Sequence, residues 1–478
     1  MKPDFNKKFV VFAILNCAIS FGQWGYFFTL FNTLQSYFQN YVFPDASMNE
    51  ISLIGSIPNF GGAIGAILAE SVVCKLGRWK TMVLTDIICL FGVSLTMIAD
   101  LEILILGRAI VGFAIGFASI VVPLYIVEMS PVEYRGSTGI FPAIMSCCTR
   151  IISYSAGFLL PKNPQPGEDN FTWRFLLAAP AIFNVIRLFI LFVFLRFDTP
   201  FQLVVMDQPE KAKMVLTKIY NHNLEDRFQE LVEERNYVQA ESKITFSDLF
   251  GEKFRKAFLL GIIVSAIEQA CGINAVYMFS NTIFETGLPP DSDLPKFLTT
   301  VIGFLALVFT VLAYFWLQTR GRKPLMVIGL IAMGFVDLAF SAIGYIDSLG
   351  NIFAKLLILV WIAFFTWSFG SVMFLYLSES LPDKGFSVTI LVNWILAFIV
   401  VQITMNLAAW IGFEGSFVIF GLLSFFGAWL IENYLIESKG KTKLQILQEY
   451  AEPEGKGDLL PIADEKGKKQ HSLPLFVT

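Results

Sequence analysis

The chain has 478 residues, of which 55% are hydrophobic, 15% aromatic and 15% charged, with a net charge of -4 and a mean hydropathy of +0.64. A water-soluble globule would carry about 25% charged residues, so this composition excludes one and points to a protein embedded in a bilayer. The small net charge is uninformative, and no nucleic-acid partner is expected. All six cysteines (Cys17, Cys74, Cys89, Cys147, Cys148 and Cys271) lie in or at the ends of apolar runs, a pattern of neither a disulfide framework nor a zinc site, and no cofactor or metal is expected.

Apolar runs of about 20 residues, long enough to span, centre near residues 20, 62, 90, 114, 149, 185, 268, 308, 335, 366, 397 and 424. This predicts an all-α membrane protein of twelve transmembrane helices. The first run follows Lys2, Lys7 and Lys8 and continues to about Leu30 without a small-residue cleavage site, so it reads as a span and not as a signal peptide. With a cytoplasmic N-terminus, the inner segments hold 28 of the 35 Lys and Arg, the outer loops hold Lys162, Arg174, Lys296 and Lys355, and the spans hold Arg108, Arg150 and Arg187. The positive-inside rule then places both termini in the cytoplasm and puts the sequon at Asn170 outside, as a candidate glycosylation site.

The fourth span passes from Gly107 and Arg108 through Gly112, Gly116, Pro123 and Tyr125 to Glu128, Pro131, Arg135 and Gly136. Gly112 and Gly116 share one helix face and permit close approach of another backbone, and Pro131 stops the helix. The chain then echoes itself. Gly77 and Arg78 return as Gly321 and Arg322, Glu128 with Pro131 as Glu379 with Pro382, and Asp198 with Thr199 as Glu437 with Ser438. Such echoes imply duplicated six-helix halves with a substrate site between them at mid-depth. The expected divisions are an N-terminal half at 1–197, a cytoplasmic helical linker at 198–256, a C-terminal half at 257–450 and a disordered cytoplasmic tail at 451–478. Pro209, Glu210, Lys211, Glu225, Arg227, Glu230, Glu233, Glu234 and Arg235 among spaced apolar residues suggest short amphipathic helices in the linker.

Taken together, the string from Gly107 to Gly136, the paired Gly-Arg loops and the Glu437 to Thr442 segment resemble the signatures of the sugar porter family of the major facilitator superfamily. The resemblance implies two pseudo-symmetric six-helix halves, alternating access, a small sugar as substrate, and a protein that is no enzyme and works as a monomer. The seventh span, Glu268 to Tyr277, is similar to the family's amide-rich segment, in which Gln269 and Asn274 would offer donors and acceptors to sugar hydroxyls. Five residues apart, these two would be roughly 140° apart on an ideal helix, so they converge only if the helix loosens at Gly272. Glu268, Arg150, Asn393, Trp394 and Gln23 complete the expected substrate contacts, with Arg150 and Glu268 paired across the cavity. Glu268 stands where the family has Gln, and Ala143 where it has another Gln, so the residues leave the sugar open among hexose, polyol, amino sugar and anionic sugar.

Arg78, Glu128, Arg135, Asp198, Arg322, Glu379 and Glu437 are expected to form a cytoplasmic gate in which charges from the two halves meet in the outward-facing state. Proton-coupled relatives carry an Asp just after a Gly-Tyr pair in the first span. Here that position is Phe27, which implies facilitative uniport; a proton-coupled sugar or polyol symporter and a non-transporting sensor are the alternatives. A membrane enzyme is disfavoured because His222 and His471 lie outside the spans and Glu70, Asp86 and Asp337 have no partner visible in the sequence. The plasma membrane is the expected location, with an internal membrane as alternative.

Overall fold

The computed structural model describes residues 5–131, 134, 138–161, 171–241, 244–289, 292–344, 348–441 and 443–451. Arg135, Asn170 and the tail beyond 451 lie outside the described residues. The described spans are helical, which satisfies their backbone polar groups within each segment, and among the described residues the only β pairing is an isolated bridge between Phe5 and Tyr220.

In the first half, α1 (Lys7–Tyr37), α2 (Met48–Leu76), α3 (Arg78–Thr96), α4 (Leu101–Met129), α5 (Phe141–Ser155) and α6 (Thr172–Val193) run back and forth. The linker holds α7 (Pro200–Val205), α8 (Pro209–Ile219) and α9 (Leu224–Glu241). The second half holds α10 (Arg255–Ala270) and α11 (Ile273–Glu285), then α12 (Leu294–Thr319), α13 (Arg322–Gly344), α14 (Ser348–Trp367), α15 (Phe369–Ser380) and α16 (Asp383–Tyr434), with α17 (Lys443–Ala451) after it. Among the described residues, ten helical stretches are long and apolar enough to cross a membrane. The other two expected spans are accounted for by geometry. The 52-residue α16 turns at Gly412, whose φ of 75° ends one span and begins the next, and α5 has only 15 α-helical residues before a tighter turn at Ala156–Leu159.

Large apolar side chains such as Phe189 and Phe335, 60% and 64% exposed, coat the outside, where lipid replaces water as solvent. Between helices, contact depends on small residues. A Cβ at Gly112 would lie 2.1 Å from the Pro58 carbonyl oxygen, and one at Gly116 would lie 2.2 Å from that of Gly62. The glycine pair read in the sequence is therefore the seam of α4 against α2.

The amphipathic linker helices exist as expected, and they share one apolar core with the first half. Phe201, Leu216 and Ile219 cluster with Val10, Met82, Tyr125 and Leu191, and the Asn6 amide donates to the Ile219 carbonyl at 2.8 Å. The second half holds the end of the linker, through buried Leu249 and a 2.6 Å hydrogen bond from Lys384 Nζ to the Ile244 carbonyl.

Candidate functional site

Between α10 and α11 the helix breaks. Gly272 has φ of 90°, in the left-handed region, where a residue without Cβ is least strained. The break swings Asn274 back onto Gln269, and Asn274 Nδ2 donates to Gln269 Oε1 at 2.5 Å. Gln269 Nε2 donates to Asn393 Oδ1 at 3.2 Å and to Glu268 Oε2 at 3.3 Å. Asn393 Nδ2 closes the ring by donating to Glu268 Oε2 at 2.5 Å. Four of the expected substrate residues thus form one cluster. Beside it, Trp394 packs against Trp24 and Phe28 with ring centroids 6.2 and 5.7 Å apart, so aromatic rings from both halves face each other next to the amides.

One expectation is corrected. Arg150 does not pair with Glu268. Its guanidinium lies 3.8 Å from the centre of the Tyr277 ring, and its Nε has no hydrogen-bond partner. A planar delocalised cation can be held by a ring face, while the Glu268 carboxylate is held by two amide donors, so neither charge requires the other. Gln23 does not join this cluster. Its amide donates to Asn184 and accepts from Cys89 Sγ at 3.8 Å, so its polar atoms are engaged inside the first half.

The charged residues at the end of the bundle that carries the described chain ends form two matching clusters, each within one half. In the first, Arg78 Nη2 meets Glu128 Oε1 at 2.8 Å, Thr199 donates its hydroxyl to Glu128, and Asp198 Oδ1 accepts from the Arg78 amide at 3.0 Å. In the second, Arg322 Nη2 meets Glu379 Oε1 at 2.7 Å, Ser438 donates to Glu379 at 2.6 Å, and Glu437 Oε1 accepts from the Arg322 amide at 2.9 Å. The glycines of the Gly-Arg loops make room for these carboxylates. A Cβ at Gly77 or Gly321 would lie 2.1 Å from Asp198 Oδ2 or Glu437 Oε2 respectively. In this conformation each cluster is closed within its own half, and the meeting of these charges across the halves, expected for the outward-facing state, is a matter of another conformation.

Burial pushes the Asp198 carboxyl up from 3.8 to about 6. A folded-state value above the unfolded one means that the native chain keeps a proton that the unfolded chain has released. The stabilisation is complete below about 3.8 and is lost as pH rises through about 6. Asp198→Asn is expected to flatten the dependence of melting temperature on pH across that window, measured in detergent by thermal unfolding; an unaltered slope would remove Asp198 as its source.

At the opposite end the halves touch. Asn32 on α1 donates to the Tyr277 carbonyl at 2.9 Å and to Ser280 Oγ at 2.7 Å, and its Oδ1 accepts from the Asn281 amide at 2.8 Å. Ser36 donates to Glu285 at 2.8 Å, Ser56 to Gln402 at 2.8 Å and Asn406 to Asn49 at 2.6 Å. Tyr154 adds a 3.0 Å bond to the Tyr277 carbonyl. These residues are not among the expected site residues, although the sequence carries a signal for them. Asn32 and Ser36 are four apart, as are Tyr277 and Asn281 and then Asn281 and Glu285, so each set is a polar stripe on one face of an apolar helix.

Twelve spans in two six-helix halves, with a broken helix and a polar cluster between them, define a membrane protein of the major facilitator superfamily fold. The proton:xylose symporter XylE of E. coli bound to 6-bromo-6-deoxy-D-glucose superposes with a TM-score of 0.78 at 22% identity, covering 94% of this chain and all of that one. Its inward-open form gives 0.77 at 20% identity, covering 92% and 99%. The sugar (and other) transporter family profile matches residues 10–450, and the chain belongs to that family. Among similar proteins are the Apis mellifera ligustica facilitated trehalose transporter Tret1, 25% identical with 86% of this chain and 81% of that one covered. The Sus scrofa facilitated glucose transporter member 2 of solute carrier family 2 is 26% identical, with 84% and 78% covered. Sugar transport protein 6 of Arabidopsis thaliana is also 26% identical, with 79% and 75% covered.

Proposed function

We propose that this protein carries a monosaccharide across a membrane by alternating access between the halves at 1–197 and 257–450, with both chain ends in the cytoplasm and the plasma membrane as its site. The observation that carries this reading is the cluster at the helix break. Gln269, Asn274 and Asn393 provide donors and acceptors, Glu268 provides acceptors, and Trp394 with Trp24 and Phe28 provides an apolar wall, the combination needed for a ring with hydroxyls on its edge. Arg150 lies across from the cluster on Tyr277, where it is placed to meet a substrate oxygen. The polar seam from Asn32 to Glu285 closes the outer side in this conformation, and the two charged clusters would rearrange when the cytoplasmic side closes. The test is uptake of labelled glucose into proteoliposomes with a panel of hexoses, pentoses, disaccharides and polyols as competitors. Saturable uptake competed by one class names the substrate, while binding without uptake would favour a sensor.

For the driving force we propose facilitative uniport, because Phe27 takes the position of the coupling acid and its ring centre lies 4.9 Å from the Arg108 guanidinium. One observation favours a second reading, proton symport through Glu268: this acid is buried in the cluster and, among the described residues, has no cationic partner. One coupled proton supplies about 2.3 kcal/mol per 100 mV, enough to concentrate sugar more than tenfold. Under an imposed proton gradient and potential, a uniporter is expected to equilibrate its sugar and ignore both. Accumulation that Glu268→Gln abolishes would establish the symport reading instead.

A further inference from the structure

The duplication of the two halves leaves one buried charge without its counterpart. In the first half, Asp86 on α3 and Arg187 on α6 are both fully buried and tightly paired, with Arg187 Nε 2.8 and 3.0 Å and Nη2 2.8 Å from the carboxylate oxygens. Asp337 on α13 follows Asp86 by the same interval that separates Glu379 from Glu128, and it is equally buried, at 0% exposure. Among the described residues, however, no Lys, Arg or His forms an ion pair with it, and no donor makes a well-aligned hydrogen bond to either of its carboxyl oxygens, the Trp361 indole coming nearest.

The groups packed around Asp337 come from three elements. On α14, the Trp361 indole faces it. On α16, Gly421 lets the backbone approach, since a Cβ there would lie 3.0 Å from the Asp337 Cβ, and one turn away the buried Ser424 hydroxyl is also unpartnered. At the break between α10 and α11, the buried Cys271 thiol stands within electrostatic reach of both Asp337 and Glu268. Two buried or half-buried cations of this half are engaged elsewhere: Lys355 Nζ on the Thr286 carbonyl and Arg322 on Glu379. A bare carboxylate so enclosed, with neither cation nor water-facing surface, is strongly disfavoured, whereas the neutral acid is tolerated. A hard metal cation would need several oxygen ligands, and an indole N–H, a thiol and one hydroxyl do not supply them. The smallest cation remains.

We propose that Asp337 is a membrane-embedded proton-binding site behind the α10–α11 break, which holds its proton in this conformation and exchanges it only when α13, α14 and α16 separate. Protonation forms one O–H bond on the carboxylate and consumes one proton from water. Because Cys271 adjoins the hinge at Gly272, loss of that proton would place a negative charge directly behind the segment that carries Gln269 and Asn274.

The test needs no assumption about the sugar. Infrared spectra of the full-length protein in liposomes at neutral pH are expected to contain a carboxylic-acid carbonyl band that disappears in Asp337→Asn and persists in Glu268→Gln. In thermal unfolding above neutral pH, beyond the range in which Asp198 titrates, the wild type is expected to lose stability as pH rises while Asp337→Asn does so less, since only the wild type must give up a proton. A band unaffected by Asp337→Asn, or equal losses of stability in both proteins, would overturn the proposal. If Asp337→Asn does not fold, Glu268→Gln alone decides: with the other buried acid that lacks a cationic partner among the described residues of the spans removed, the absence of any acid band shows that Asp337 is ionised and the proposal wrong.

Discussion

Gln269→Ala is expected to raise the sugar concentration for half-maximal uptake by about ten- to a hundredfold, with the protein still folded and inserted. Gln269 is the hub of the cluster, joined to Asn274, Asn393 and Glu268. Its loss removes a proposed substrate contact and also leaves Asn274 Nδ2 without its acceptor. An unmade hydrogen bond at a buried polar group costs about 1–3 kcal/mol, and about 1.4 kcal/mol is a factor of ten in affinity. Asn393→Ala is expected to have an effect in the same direction, because it frees Glu268 from its 2.5 Å donor. The measurement is equilibrium exchange of labelled sugar in proteoliposomes, which removes any contribution from a driving force. Unaltered half-saturation in Gln269→Ala would place the substrate elsewhere in the bundle.

The largest effect on stability is expected at Asp86 and Arg187. Removing one member of a buried ion pair strands the other charge and costs about 3–5 kcal/mol, whereas replacing both by apolar residues of similar size is often close to neutral. Asp86→Leu or Arg187→Met alone should therefore leave little folded protein at the membrane, and the combined Asp86→Leu/Arg187→Met variant should recover most of it. Fluorescence-detected size-exclusion chromatography after heating reads this directly. If the double variant behaves no better than either single one, the pair has a role beyond mutual neutralisation. The contrast with Asp337, which the proposal above treats as neutral, gives an internal control: Asp337→Leu is expected to be far milder than Asp86→Leu.

Much of this architecture is legible in the order of residues alone. Spans follow from runs of about 20 apolar residues, a local property of the chain, and twelve were expected; the two not separately resolved by length and composition lie at a short α5 and at the turn at Gly412. The break at Gly272 was foreseeable because Gln269 and Asn274 cannot meet on a regular helix, and the observed φ of 90° is one that glycine adopts readily. The composition of the two charged clusters was also present in the paired echoes, down to the hydroxyl that follows each acid.

Partner choice was decided by the tertiary structure. A helical period tells which side chains share a face, but the rotation and height of that helix against one far away in sequence are set by packing across the whole interface. Arg150 therefore found the ring of Tyr277 and not the carboxylate of Glu268, and Gln23 turned to Asn184 within its own half. Arg78 and Arg322 pair inside their halves in this conformation, each with an acid on another helix of the same half. Which end of the bundle is closed depends on hydrogen bonds such as those from Asn32 to Ser280 and from Ser36 to Glu285. Those contacts join residues some 250 positions apart, and only the packed bundle brings them within reach.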